Sequence, residues 1–275
     1  MLRNAVDMVE YMIRATDGVI GHVKDFYFDD KTWVIRYLVV DTGSWLSRRK
    51  TLISPIALGR PDWKERELPA LMTKEQVINS PDIDTEMPVS RQHEYRYFAY
   101  YGYPYYWDGA GLWGEGSYPG LSLSGFGDQI EAERRAQQTG YGRAPPESRP
   151  SQNNDPHLRS CRAVRGYHIH AVDGDIGHVE GMLVDEETWA IRYLVVETSN
   201  WWIGHKVLVA PQWIGAVSWA DSTVSVNLTR AAVKQSPPYD PDTLLGREQE
   251  LGIYQHYGQD GYWVDEKNHK VDGPR

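Results

Sequence analysis

Short runs of β-branched and aromatic residues, separated by turn residues, make up most of the first third of this 275-residue chain. An Asp-Gly pair at 17–18 predicts a hairpin turn between a strand at 11–15 and a second strand at 20–28. A polar loop at 29–32 leads to a third strand at 33–41, which is rich in Val, Ile, Tyr and Trp. The pattern is typical of β-structure built from hairpins.

Two more strands and a helix complete this pattern. A strand at 50–54 stops at Pro55, and another covers 63–68. Thr73 then predicts the start of a short helix, because its hydroxyl can accept a hydrogen bond from a backbone N–H that has no partner within the helix. Several short strands in so few residues predict a small β-barrel, since closing a sheet removes its exposed edges.

The whole pattern occurs twice. When the sequence is shifted by 156 positions, DGVIGHVKDFYFDDKTWVIRYLVVDT at 17–42 aligns with DGDIGHVEGMLVDEETWAIRYLVVET at 173–198. The alignment of 11–107 with 167–263 has no gap and contains 36 identities in 97 positions, which indicates a duplication. The predicted fold class is therefore all-β, with two small barrels in tandem, each followed by a short C-terminal helix.

The composition changes between and after the two copies. Residues 95–120 are rich in Tyr and Gly, and 140–156 have the composition of a flexible linker. A shorter Tyr/Gly stretch at 254–263 favours an ordered appendage, with low-complexity disorder as the open alternative. The predicted domains are a first barrel at 5–82, an appendage and linker at 83–160, a second barrel at 161–240 and a tail at 241–275.

Charge and cysteine content exclude several classes of function. The formal net charge of −9 argues against nucleic-acid binding, because neutralising phosphates requires a basic surface. Cys161 is the single cysteine, and no Cys/His spacing suits a metal, so neither a metal nor another cofactor is predicted. No stretch approaches the ~18 apolar residues that span a bilayer. We expect a cytoplasmic protein, associated with a membrane at most through a partner.

Polar residues present in both copies are the candidates for chemistry. They are His22 and His178, Arg36 and Arg192, Tyr37 and Tyr193, and Asp41 and Glu197. A tight loop at 29–32 would place His22 opposite Val39, with Tyr37 and Asp41 as its diagonal neighbours. A histidine beside a carboxylate can act as a general base. Because no nucleophile or phosphate-binding loop accompanies it, a structural pair is favoured and no enzyme activity is predicted.

Other shared positions have two interpretations each. Arg36 and Arg192 lie among apolar residues, where an arginine either pairs with carboxylates and carbonyls or binds an anion. Trp45 and Trp201, with Trp202, precede the fourth strand of each copy. They either pack over the barrel mouth or anchor a partner.

Taken in order, these signals resemble the PRC-barrel family. The resemblance covers 17–81 and 173–237. It is carried by a D-G-x-I-G-x-V opening, an acidic hairpin loop, an R-Y-L-V-V strand ending in a carboxylate, a strand closing on Pro and a final T-K/R-x-x-V-x-x-S-P helix. It implies a small β-barrel that serves as a binding or assembly module, as in the photosynthetic reaction centre H subunit and the ribosome-maturation factors.

Three functions follow from these observations. The favoured one is a non-enzymatic binding or assembly adaptor that uses Trp/Tyr-rich surfaces to bind a protein partner or to self-associate. The second is a module like the H subunit, which assists electron or proton transfer or binds a small ligand. The third, a role in ribosome or RNA processing, is opposed by the net charge. The net charges of 11–81 (+2) and 167–237 (−4) also favour association through unlike surfaces.

Overall fold

The computed structural model describes residues 1–46, 49–81, 89, 91–119, 157–198 and 205–264. The predicted linker at 140–156, and Trp201 and Trp202, lie outside the described residues. The described protein is mostly β, and its strands form two sheets.

The bounds of the elements are as follows. The strands are β1 (Leu2–Asn4), β2 (Met12–Ala15), β3 (Gly18–Asp29), β4 (Val34–Asp41), β5 (Lys50–Ile53), β6 (Glu67–Pro69), β7 (Leu158–Ser160), β8 (His168–Ala171), β9 (Gly174–Asp185), β10 (Ile191–Glu197), β11 (Lys206–Val209), β12 (Ile214–Ser218) and β13 (Thr223–Val226). The helices are α1 (Lys74–Ile78), α2 (Arg91–Tyr101), α3 (Cys161–Val164), α4 (Arg230–Lys234) and α5 (Arg247–His256).

The chain forms two compact units. The N-terminal unit consists of Ala5–Arg162 together with Glu186–Ala190. The C-terminal unit consists of Met1–Asn4, Ala163–Asp185 and Ile191–Arg275. Each unit therefore contains most of one repeat and a short segment that belongs to the other.

The sheets of the two units have equivalent strand orders. The order is β5-β4-β3-β2-β6 in the N-terminal unit and β11-β10-β9-β8-β13-β12 in the C-terminal unit. In both sheets one pair is parallel, β2 with β6 and β8 with β13. Neither sheet closes into a barrel among the described strands, so closure stays a prediction.

The central strands carry the cores of the two units. β4 is buried from Val34 to Val40, and β10 from Ile191 to Val196. Both faces of these strands are therefore covered, which explains why their sequences read as continuous apolar runs rather than as an alternation.

The loop between β3 and β4 covers residues 30–33, one position later in the chain than the sequence predicts. Asp29 Oδ1 accepts hydrogen bonds from the backbone N–H groups of Lys31 and Thr32, each at 3.0 Å. Trp33 then adopts a φ of 56° and joins the turn. Because β3 extends through Asp29 and the turn through Trp33, β4 begins at Val34.

The predicted strand at 63–68 is also shortened by a turn. Asp62 Oδ1 accepts hydrogen bonds from the N–H of Lys64 at 3.1 Å and of Glu65 at 3.0 Å. Arg66 adopts a φ of 57°, so β6 starts only after it. The short-range hydrogen bonds of Asp62 compete with the sheet for these backbone groups.

The helix that follows each sheet begins at the predicted threonine. Thr73 Oγ1 accepts a hydrogen bond from the Gln76 N–H at 3.2 Å, and Gln76 Oε1 accepts one from the Thr73 N–H at 2.8 Å. Thr229 accepts a hydrogen bond from the Ala232 N–H at 3.2 Å at the start of α4. α1 has the reciprocal pair of hydrogen bonds, which alanine at 232 cannot make in α4.

Each sheet is extended by a strand that precedes the other repeat. In the C-terminal unit, β1 pairs antiparallel with β9, and Leu2 faces Asp185. In the N-terminal unit, β7 pairs antiparallel with β3, and Leu158 faces Asp29. The two registers are equivalent when the sequence is shifted by 156 positions. The repeats have therefore exchanged their first strands.

The N-terminal unit also contains the loop between β9 and β10. Ala190 bridges Val34, and Ile35 donates its N–H to the Trp189 carbonyl at 2.9 Å. The Trp113 indole N–H donates to the Thr188 carbonyl at 2.8 Å. The core of this unit thus depends on five residues taken from the second repeat, Glu186–Ala190.

Two glycines allow close approach of a backbone carbonyl and provide a test of the packing. A Cβ on Gly21 would lie 2.0 Å from the Asp41 oxygen, and a Cβ on Gly177 would lie 1.9 Å from the Glu197 oxygen. We expect alanine at either position to lower the free energy of unfolding by about 3 kcal/mol, since the strands must separate to admit the methyl group. Urea unfolding measures the change.

Gly252 is the control for these substitutions. It lies in α5, and a Cβ there would meet nothing within 4 Å. Gly252→Ala should raise the free energy of unfolding by up to about 1 kcal/mol, because alanine restricts the unfolded chain and favours the helix. Equal stabilities for Gly21→Ala and the unaltered protein would contradict the packing described for β3 and β4.

Candidate functional site

A buried carboxylate connects α2 to β4 in the N-terminal unit. Glu94 Oε1 accepts hydrogen bonds from the Tyr37 hydroxyl at 3.0 Å and from the Tyr106 hydroxyl at 2.6 Å. Its other oxygen lies 3.1 Å from Arg91 Nη1 and 2.8 Å from His157 Nε2. The Glu94 side chain is fully buried, so these four groups replace the water that would otherwise solvate its charge.

Arg36 lies beside this cluster and is also buried. Its Cζ atom is 3.9 Å from the centre of the Tyr106 ring and 4.7 Å from that of Trp113. Nη1 donates to the Leu112 carbonyl at 2.6 Å, and Nη2 donates to Thr32 Oγ1 at 3.1 Å. The guanidinium therefore holds the segment after α2 against the sheet through ring stacking and hydrogen bonds.

The C-terminal unit repeats this arrangement. Glu250 Oε1 accepts hydrogen bonds from the hydroxyls of Tyr193 and Tyr262, each at 3.0 Å. Glu250 Oε2 lies 3.0 Å from Arg247 Nη1, and Arg192 Cζ lies 4.0 Å from the centre of the Tyr262 ring. Each of these five residues is displaced by 156 positions from its counterpart in the N-terminal unit.

The two clusters differ in their charged partners. His157 touches Glu94, whereas the same offset places Met1 at the corresponding position of the other copy. Arg192 Nη2 donates to Asp185 Oδ2 at 3.2 Å, whereas Arg36 uses a backbone carbonyl and a threonine. The shared part of the two clusters is therefore the carboxylate, its two tyrosines, its arginine and the stacked guanidinium.

Burial sets the ionisation of these groups. It raises the pKa of Tyr37 and Tyr106 well above their usual value, and the charge of Glu94 raises both further. Burial likewise raises the pKa of Tyr193 and Tyr262. It also raises the pKa of Glu250, against the opposing charge of Arg247. The tyrosines stay protonated at neutral pH and serve as hydrogen-bond donors.

The predicted register of His22 is wrong, although Asp41 is one of its neighbours as predicted. His22 faces Asp41 instead of Val39, because the β3–β4 loop lies one residue later in the chain than predicted, which moves the pairing of the two strands by two residues. His22 is exposed, whereas Tyr37 is buried. The histidine and the tyrosine therefore do not share an environment, and the structure does not gather the predicted residues into one site.

The matching histidine and carboxylate of the C-terminal unit are in contact. His178 faces Glu197, with 3.1 Å between Nε2 and Oε2. The two side chains are 36% and 35% exposed, so water competes for both. Among the described residues, no group of three His, Cys, Asp or Glu side chains is placed to hold a metal. Glu197 is the last residue of β10, whereas His178 lies within β9, and Lys206 of β11 faces Glu197.

Trp45 packs against its own unit. Its indole N–H donates to the Ile20 carbonyl, and the Lys74 ammonium lies 4.3 Å from the centre of a Trp45 ring. The side chain is half-buried. Trp201 and Trp202, which carry the corresponding prediction for the second copy, lie outside the described residues.

Sequence reasoning missed the residues at the centre of the clusters, Glu94 and Glu250. The signal was present, because the gapless alignment pairs Arg91 with Arg247 and Glu94 with Glu250. Reading each repeat as a barrel that ends at its first helix excluded these positions.

A comparison of the sequence with protein-family models gives a match in the first repeat. The geometry defines a β module whose shared polar residues are mostly internal. The family model of the PRC-barrel domain matches residues 4–66, a range that includes β2, β3, β4 and β5. The first repeat is therefore similar to a PRC-barrel domain. No curated protein matches the chain. Among the described residues, no helix has the length and apolar character needed to cross a membrane.

The buried tyrosines predict alkaline unfolding. Since burial raises the folded-state pKa of Tyr37 above the unfolded value, the folded protein retains a proton that the unfolded chain loses. The stability is complete below about pH 10 and falls above it, by up to ~1.4 kcal/mol per pH unit for each such tyrosine. Tyr37→Phe should therefore flatten the fall of unfolding free energy above about pH 10.

Denaturant unfolding at a series of pH values measures this slope. At about pH 8 the two proteins should show equal slopes, because tyrosine is protonated in both states there. Parallel curves for Tyr37→Phe and the unaltered protein up to about pH 11 would show that the hydroxyl is not held protonated by burial.

Proposed function

We propose that this protein is a non-enzymatic binding and assembly module, built from two PRC-type β-barrels in tandem, that binds a protein partner through its N-terminal unit. The observation that carries the proposal is a contrast between the repeats. The arginine, tyrosine and glutamate residues that they share form buried clusters within each unit. The exposed positions on the helices that follow each sheet differ between the two units. At these positions the N-terminal unit has large apolar or aromatic side chains.

This exposed surface, the α1–α2 face, is defined by Ile78 on α1 and Tyr100 on α2. Ile78 is 45% exposed and Tyr100 is 39% exposed. The Tyr100 hydroxyl donates to the Gln76 carbonyl at 2.9 Å, which joins the two helices. A large apolar side chain beside a tyrosine is the composition of an anchor at a protein–protein interface.

The C-terminal unit has the same helix contact with polar residues. His256 corresponds to Tyr100, and its Nε2 lies 2.8 Å from the Ala232 carbonyl. Lys234 corresponds to Ile78. The fold therefore tolerates lysine and histidine at these two positions, so its packing does not require the apolar residues of the α1–α2 face. A partner gives a physical reason for them.

An enzymatic role has little support in this geometry. Glu94 is buried among its hydrogen-bond partners. His22 is exposed, whereas Tyr37 is buried. The second candidate function is a small-ligand or proton-transfer module, by resemblance to the reaction-centre H subunit. It is favoured by the contact of His178 with Glu197, a histidine–carboxylate pair that is about one third exposed.

The proposal is tested by exchanging residues between the repeats. The double variant Ile78→Lys/Tyr100→His gives the α1–α2 face the residues of the C-terminal unit. We expect it to fold with an unfolding free energy within about 0.5 kcal/mol of the unaltered protein, since surface changes away from special features have small effects. We also expect the double variant not to bind a protein that the unaltered chain captures from an extract of its native cells.

The matched control is Lys234→Ile/His256→Tyr, which changes the corresponding face of the C-terminal unit and should keep the captured protein. Equal capture by the unaltered chain and Ile78→Lys/Tyr100→His would overturn the role of the α1–α2 face. Hydrolase turnover that disappears in His178→Ala would overturn the non-enzymatic assignment.

A further inference from the structure

The two exchanged strands have nearly the same sequence. β1 reads Leu-Arg-Asn and β7 reads Leu-Arg-Ser, so they differ in the third residue alone. Asn4 faces Leu183 on β9, and Ser160 faces the equivalent Tyr27 on β3. Within the three paired residues of each strand, the difference is therefore Asn4 against Ser160.

Ser160 is held by a buried carboxylate of β3. Its hydroxyl donates to Asp25 Oδ2, and the N–H of Arg162 donates to Asp25 Oδ1 at 3.1 Å. Arg159 Nε also lies 2.9 Å from Asp30 Oδ2. Asp25 is buried. A serine at this position of the strand satisfies a carboxylate that would be costly to bury alone.

The side chain of Asn4 packs against a position of β9 that has no side chain. Gly181 stands at the position that corresponds to Asp25. A Cβ on Gly181 would lie 2.8 Å from Asn4 Oδ1 and 3.2 Å from Asn4 Nδ2. The larger Asn4 side chain therefore occupies space that any residue other than glycine would fill.

The opposite pairing would satisfy neither strand. If each strand paired within its own repeat in the same register, Asn4 would meet Asp25, whose Cβ and carboxylate occupy the space that Asn4 needs. Ser160 would meet Gly181 and would leave Asp25 without its hydroxyl donor. Both mismatches favour the exchange that is observed.

We propose that the edges of β3 and β9 are strand-binding sites of different specificity, and that Asp25 and Gly181 select the strand each edge receives. Both sites take an extended Leu-Arg segment. The β3 edge selects a third residue with a small hydroxyl side chain, and the β9 edge selects a carboxamide. The added strand binds through main-chain hydrogen bonds, while the third side chain supplies the choice of partner.

Trading the third residues tests the proposal in the full chain. In Asn4→Ser/Ser160→Asn the composition is unchanged, but each strand now matches the edge of its own repeat. We expect β1 to move from β9 to β3. Cross-strand nuclear Overhauser contacts of the Arg3 amide should then involve residues 27–29 instead of 183–185. A folded variant that keeps the contacts with 183–185 would overturn the proposal.

A second set of variants tests the selection of strands if Asn4→Ser/Ser160→Asn does not fold. Gly181→Asp should displace β1 and raise the amide exchange rate of Leu183 at least about tenfold, since local opening then costs less free energy. Adding Asn4→Ser reproduces the pair found in the N-terminal unit and should restore the protection. Unchanged exchange in Gly181→Asp, or no recovery in Gly181→Asp/Asn4→Ser, would overturn the selection.

Discussion

A buried carboxylate that is held by protein hydrogen-bond donors constrains each unit. Glu94 and Glu250 are buried, and their charge is tolerated because two tyrosine hydroxyls and an arginine surround each one. These donors come from the central strand, the helix after the sheet and the segment that follows the helix. Removing the carboxylate would leave the donors of all three elements without a common acceptor, so the Tyr-rich segment belongs to the fold of the unit.

The duplication separates structural residues from functional ones within a single chain. Residues kept in both copies form the clusters and the strand contacts, which any copy needs in order to fold. Some differences between the copies are exposed, as at Ile78 and Lys234, and others are paired with a second difference, as at Asp25 with Ser160 and Gly181 with Asn4. Paired differences indicate contacts between strand and sheet, and unpaired exposed differences indicate surfaces that have diverged.

The strands, the repeat and the capped first helices could be predicted from the sequence, because runs of β-branched and aromatic residues, an Asp-Gly turn and a capping threonine act locally. The partner of His22 could not, since it depends on the exact position of the β3–β4 loop, and a displacement of that loop by one residue moves the strand pairing by two. The strand exchange could not be predicted either. A three-residue strand has the same local preferences on either sheet, and the choice lies in a contact with Asp25 or Gly181 far away in the sequence.

The exchange has a consequence for synthesis on the ribosome. The sheet of the N-terminal unit is completed by β7, and its core includes Glu186–Ala190. When the first repeat leaves the ribosome, the edge of β3 at residues 27–29 has no partner yet. At roughly 5–20 residues per second, the nascent chain must wait several seconds for these segments. During translation this exposed edge is open to pairing with other chains, so a cell that makes the protein has reason to shield the edge until the second repeat emerges.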